Sequence, residues 1–181
     1  PTRPVMERHN VTWCREPLNA GRMHEAAQAL VGEHDFSSFR AAGCQSKSAT
    51  RHVHFIEVKR YGTLVVIDIQ ANAFLHHMIR NIAGALVAVG RGEEGIGYLA
   101  HLLTLRDRAQ GNVTAPGCGL HFVDSIYDER FELPREPLGP SMLGFLGEWS
   151  GERGLPDSPM VRYRRGLPGA RHPASIDATS S

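Results

Sequence analysis

Apolar residues along this chain alternate between a helical period and a strand period. Met23, Ala26, Ala27, Leu30 and Val31 recur at helical spacing behind Asn19, a residue type that caps helix starts, and Gly32 follows the run. This predicts a helix ending at Gly32 and a loop over Asp35–Ser48. His52–Lys59 and Thr63–Ala71 are rich in Val, Ile and Phe and flank Gly62, which predicts a β-hairpin. In its second strand Val65, Ile67, Ile69 and Ala71 share one side, while Asp68, Gln70 and Asn72 share the other, so one face suits a core. The helical period returns over Phe74–Val89, with Ile79, Ile82, Ala83, Leu86 and Val89 as its stripe and His77, Arg80, Asn81 and Gly84 on a different face. Gly90 and Gly92 are read as its end. A further helix is predicted from Glu93 or Glu94 to Leu105, a polar loop over Arg106–Gly119, a strand over Leu120–Tyr127 and an extended exit over Phe131–Pro140. The sum is an α+β domain: an antiparallel sheet with flanking helices.

The pattern divides the chain into three parts. Residues 1–18 are polar and broken by Pro4 and Pro17, as in a linker; residues 19–140 carry the α+β pattern. Residues 141–181 shift to Gly, Pro, Ser and Arg. Met142–Trp149 keeps a few apolar residues, but the tail has no periodicity and reads as disordered. Its Arg162-Tyr163-Arg164-Arg165 run suits either RNA contact or a solvated tail. The first residue is Pro1, which suggests a processed or cut chain, and the N-terminus lacks a signal-peptide pattern. No apolar run approaches the roughly 20 residues of a membrane span. Cys14, Cys44 and Cys118 form no close pair, so neither a disulfide framework nor a zinc knuckle is indicated, and a reducing, cytoplasmic setting is expected.

Charge adds one local feature. The formal net charge is +1, yet Arg40 to Arg60 holds five Lys or Arg against one Glu. Such a patch suits phosphate binding, and equally an ordinary solvated surface. There is no nucleotide-binding glycine fingerprint, phosphate loop or nucleophile elbow. His52 and His54 share a side of their strand, as a metal pair would, but no third ligand stands at a convincing spacing. His76 and His77, if helical, diverge by about 100° and cannot chelate together. Arg80 is the residue that demands an explanation. Its permanent charge lies near a helix start beside His76, His77 and Asn81, and a cation there requires an anion if buried. Asp68 or Asp107 could supply a structural pair. A carboxylate or phosphate from a partner is the functional alternative, favoured also by the helix N-terminus.

Several segments, in order, carry a family resemblance: Asn19–Arg40; Cys44-Gln45-Ser46 with Arg51; Asn72-Ala73-Phe74-Leu75-His76-His77-Met78-Ile79-Arg80-Asn81-Ile82; Arg106-Asp107-Arg108; Thr114-Ala115-Pro116; and Gly119-Leu120. The chain resembles the C-terminal half of the TruA-type tRNA pseudouridine synthases over about Pro1 to Pro140. The resemblance implies isomerisation of uridine to pseudouridine in the tRNA anticodon stem-loop, with the base out of its stack and neither metal nor cofactor. It implies a fold of two similar α+β halves with the cleft between them, and homodimers. In the family, the arginine matching Arg80 pairs with an essential aspartate, keeping it ionised and oriented. The implied pocket takes in Asn72, Phe74, His77, Asn81 and Leu120; charge and position, rather than the family pattern, place expected RNA contacts at Arg40, Lys47, Arg51 and His76. The family's Gly-Arg-Thr-Asp-Ala-Gly-type motif, which holds that aspartate, does not occur in this sequence. Asp68 and Asp107 do not match it, nor do Tyr61, Tyr98, Tyr127 and Tyr163 match the family's tyrosine. This chain is therefore expected to be one wall of the cleft, inactive by itself. A non-catalytic RNA-binding module and a dimer-forming structural domain are the alternatives.

Overall fold

Three antiparallel strands in the order β1-β2-β3 form the sheet of this computed structural model, which describes residues 9–123 and 125. The strands are Gly32–Asp35 (β1), Thr50–Tyr61 (β2) and Leu64–Ala71 (β3), and the helices are Ala20–Ala27 (α1), Met78–Arg91 (α2) and Tyr98–Leu105 (α3). The predicted α+β class and antiparallel hairpin are present. Contacts divide the chain into units 1–151 and 152–181, and every described residue lies in the first.

The hairpin turns at Gly62, whose φ of +57° suits a residue without a Cβ. Val53 stands opposite Ala71 but Phe55 opposite Gln70, so β2 carries one extra residue around His54. That bulge moves the buried positions from Val53 to Ile56 and Val58, out of simple alternation. β1 pairs only with Thr50–Val53. Farther along, side chains of α1 and of the 3₁₀ turn after it meet the edge of β2: Gln28 Nε2 donates to Ile56 O at 3.0 Å, and Val58 N–H donates to His24 Nδ1 at 3.2 Å. An edge that would otherwise be open is thereby satisfied.

Asn19 caps α1 as expected, its Oδ1 accepting from Arg22 N–H at 3.1 Å. Met23, Ala26, Ala27 and Leu30 are buried, and the last turn tightens to a 3₁₀ helix over Gln28–Leu30. Val31, read as part of the stripe, is extended and 40% exposed instead. Gly32, at φ +102°, opens an edge strand ahead of the predicted loop, and that loop holds a 3₁₀ turn at Ser37–Phe39.

α2 starts at Met78 rather than Phe74. Leu75 is buried and His77 takes a left-handed conformation, φ 59°, which a helix of L-residues cannot include. The rings of His76 and His77 accordingly lie together, centroids 4.1 Å apart, rather than diverging. Asn81, placed by periodicity on the polar face, is buried with Ile82, Leu86 and Val89, while Ile79 and Ala83 are half-buried. Gly90 does not end α2. It stays inside the helix, where a Cβ would lie 2.6 Å from Met23 Sδ of α1; Gly92, at φ +80°, is the cap. The N–H groups of Glu93 and Glu94 turn back to Ala88 O, so α3 begins at Tyr98, later than predicted.

The core joins Met23, Leu30, Phe36, Phe39, Val53, Met78, Ile82, Leu86, Leu99 and Leu102 from the helices, the sheet and the 3₁₀ turn. Leu120–Val123 is irregular rather than a strand. Leu120 N–H turns back to Gly117 O at 3.2 Å, and Gly119, at φ +87°, sits where a Cβ would approach Thr12 N to 2.8 Å. Apart from Ser125, which is not in a strand, the rest of the predicted strand to Tyr127, the exit over Phe131–Pro140 and the tail lie outside the described residues.

Candidate active site

Arg80 occupies the first turn of α2 and is half-buried. Its Nε donates to Ala115 O at 2.7 Å, and its Nη1 lies 3.2 Å from His77 Nε2. Ala115 N–H returns a bond to Arg80 O at 3.0 Å. Neither side-chain partner is a carboxylate, so these contacts aim the guanidinium without neutralising it. Asp107, one structural partner considered for Arg80, instead caps the 3₁₀ helix Arg108–Gln110 by accepting from Ala109 N–H at 2.9 Å.

His77 must present an unprotonated Nε2 to accept from Arg80. Its pKa lies below the usual imidazole value, first through burial, then through the charges of His76 and Arg80. The left-handed backbone at His77 turns both rings, and His76 O accepts from Ala41 N–H at 3.1 Å, tying this corner to the loop before β2.

A second arginine organises the floor beneath. Arg108 Nη2 donates to Asn81 Oδ1 at 3.1 Å, Thr114 Oγ1 at 3.0 Å and Asn112 O at 3.1 Å. Thr114 Oγ1 donates to Asn81 Oδ1 at 2.7 Å, and Asn81 Nδ2 donates to Phe39 O at 2.7 Å. Asn81, predicted as a pocket residue, is thus 4% exposed and committed to this network. Arg108, Asn112 and Thr114 had no role assigned by sequence reasoning. The segments holding Arg108 and Thr114, though not Asn112, are among those carrying the family resemblance, but no periodicity connects them to Asn81.

The remaining predicted residues spread around this corner. Asn72 is exposed at the end of the sheet, exchanging bonds with His52: Asn72 N–H to His52 O and His52 N–H to Asn72 Oδ1, both 3.0 Å. Phe74 and Leu120 are large apolar residues left 44% and 49% exposed. Arg40 and Arg51 largely bind their own loop. Arg40 Nη2 donates to Cys44 O at 2.8 Å and Ser46 O at 2.7 Å; Arg51 donates to Ser48 O, Thr50 O and Ser46 Oγ at 2.6–3.1 Å. Lys47 is exposed.

Among the described residues, no three His, Cys, Asp or Glu side chains gather as a metal site, and the three cysteines are free thiols. His52 and His54 stand with ring centroids 5.0 Å apart, and burial first, then His52, lowers the pKa of His54. An open depression of about 570 Å³ beside Leu18, Arg60 and Gly90 lies ten residues along α2 from Arg80, about 15 Å away. No helix among the described residues is long and apolar enough to cross a membrane.

A family profile described as tRNA pseudouridine synthase matches residues 26–128, from the end of α1 through the sheet, α2, α3 and the Arg108–Ala115 segment. The chain belongs to this family. Members similar to it include proteins named tRNA pseudouridine synthase A from Hydrogenovibrio crunogenus, 52% identical over 138 residues (76% of this chain, 53% of the relative), and from Pseudomonas aeruginosa, 50% identical over 146 residues (81% and 51%). A third, from Nitrosococcus oceani, is 53% identical over 133 residues (74% and 51%). The chain spans about half the length of these curated relatives. The family membership expected from the ordered segments is thereby established.

Proposed function

We propose that this chain supplies the arginine-bearing wall of a tRNA pseudouridine synthase active site. The observation that carries the reading is Arg80: a half-buried guanidinium, aimed by Ala115 O and His77, whose side-chain hydrogen bonds among the described residues are with neutral groups. A carboxylate brought against it by chain outside this sequence would be held ionised and oriented.

The reaction is an isomerisation. The C1′–N1 bond of uridine breaks, uracil turns, C1′ bonds to C5, and the proton lost from C5 is balanced by one gained at N1. The essential carboxylate acts on the sugar or base; Arg80 positions it and cannot replace it. Phe74 and Leu120 offer apolar surface beside a base drawn out of its stack. Asn72 and His77 complete the near side of that pocket, with Asn81 acting through the network beneath. Lys47 and His76, and secondarily Arg40 and Arg51, contact the phosphates of an anticodon stem-loop. The chemistry requires no cofactor. The whole protein works as a homodimer in the cytoplasm, and exposed Leu120, Phe122 (80%) and Val123 are consistent with a face that another half covers. The alternative of a non-catalytic RNA-binding module fits less well, because it gives the aimed guanidinium of Arg80 no task.

The test is pseudouridine formation in tRNA by this chain alone and mixed with a separately expressed half carrying the aspartate motif. Turnover in the mixture only is expected. Turnover by the chain alone, or none in the mixture with RNA binding intact, contradicts the reading.

A further inference from the structure

The geometry points to Arg108 as a positioning residue that fixes the Arg80 guanidinium through the segment Asn112–Ala115. This rests on the reading of Arg80 as the residue that meets the carboxylate.

The segment is held at three places. Arg108 Nη2 binds Asn112 O and Thr114 Oγ1 at its start and middle. The Val113 carbonyl seats against Gly84 of α2 so closely that a Cβ there would lie 2.1 Å from its oxygen. Ala115 closes the far end with two bonds to Arg80, one to its carbonyl and one from its Nε. Asn81 anchors the arrangement: it is almost fully buried, and its Oδ1 accepts from both Arg108 and Thr114 while its Nδ2 donates to Phe39 O. Water cannot replace these bonds at so buried an amide, so the network has one low-energy arrangement. Consecutive helix residues project about 100° apart. Asn81 thereby reaches into the core while Arg80 stays at the surface, and the segment links the two. Loosening Arg108 frees Ala115, and with it the acceptor that aims the guanidinium.

The test uses the 181-residue chain. Amide exchange at Ala115 and the NMR signal of Arg80 Nε–H are compared in Arg108→Met, Thr114→Val and Thr114→Ser. The valine variant matches threonine in shape and deletes only the hydroxyl, so it remains informative if Arg108→Met fails to fold. Ala115 exchange should accelerate about tenfold or more in the first two variants, with a shifted or broadened Arg80 signal, and Thr114→Ser should restore both. In the mixture with the aspartate-bearing half, kcat should fall about 10²-fold with KM for tRNA unchanged. Unchanged exchange and an unchanged Arg80 signal in Thr114→Val would overturn the inference. Absence of turnover by the unsubstituted mixture would instead contradict the functional reading, and the exchange data would still decide the positioning role.

Discussion

Arg80 and Ala115 hold each other twice: Ala115 N–H donates to Arg80 O at 3.0 Å, and Arg80 Nε donates to Ala115 O at 2.7 Å. A single residue of α2 thus satisfies both polar groups of one peptide residue, and that residue in turn directs the guanidinium. The mutual grip ties the backbone around Ala115 to the aim of the Arg80 guanidinium, although alanine has no chemistry of its own.

Gly84→Ala should destabilise the chain. Alanine is the better helix former by about 1 kcal/mol, but its Cβ would meet the Val113 carbonyl oxygen at 2.1 Å, and that contact is backbone. Overpacking of this kind costs about 1–3 kcal/mol, so the steric effect wins. Thermal unfolding checks it; a raised midpoint would show that the 112–115 segment yields freely.

Asn81→Leu should lower stability by about 1–3 kcal/mol, because Phe39 O loses its buried donor and Arg108 an acceptor. Denaturant titration gives the value. A loss below about 0.5 kcal/mol would place Asn81 among ordinary surface positions.

Acid should weaken the fold through His77 and His54. Burial is the first cause of the lowered pKa at both; His76 and Arg80 add to it at His77, and His52 adds to it at His54. As pH falls through the ordinary imidazole value near 6.5, the unfolded chain takes up protons that the folded chain refuses. Stability present above that pH is therefore lost below it, down to the folded-state values. Unfolding midpoints above about pH 7 and below about pH 6 measure the slope. His77→Gly removes one titrating group and suits the φ of 59°, so it should flatten the slope. An unchanged slope would remove His77 from the account.

Arg40 and Lys47 should separate although both are basic. Lys47→Ala should reduce the salt dependence of RNA binding by about one unit of slope and leave stability alone. Arg40→Ala should cost about 1–2 kcal/mol of stability, because it releases Cys44 O and Ser46 O. Denaturation and binding at several salt concentrations distinguish them; equal effects on both measurements would contradict the difference.

The hairpin and the α1 stripe were legible because apolar side chains carry their period, and Asn19 announced its cap. β1 was not, since Gly-Glu-His-Asp is a short edge strand with no apolar side to alternate. The start of α2 was misplaced because Phe74 and Leu75 extend the apolar run, while the left-handed turn at His77 is a backbone event that side-chain period does not report. The bulge near His54 shifted burial for the same reason. Arg80 was recognisable as a charge in need of a partner. The Asn81 network was not, because its members lie 27 and 33 residues along the chain and meet only when the 112–115 segment crosses α2. Leu120–Val123 carried a strand-like composition, but the glycine turn at 119 and the contact with Thr12 determine its shape.

The central claim is that Arg80 is the charge this chain contributes to catalysis. Its most direct test is the single-turnover rate of pseudouridine formation by the chain and its aspartate-bearing counterpart, with Arg80 intact and as Arg80→Ala. The account predicts a rate at least about 10²-fold lower in the variant, with tRNA affinity nearly retained. A variant that turns over at the unsubstituted rate would contradict it.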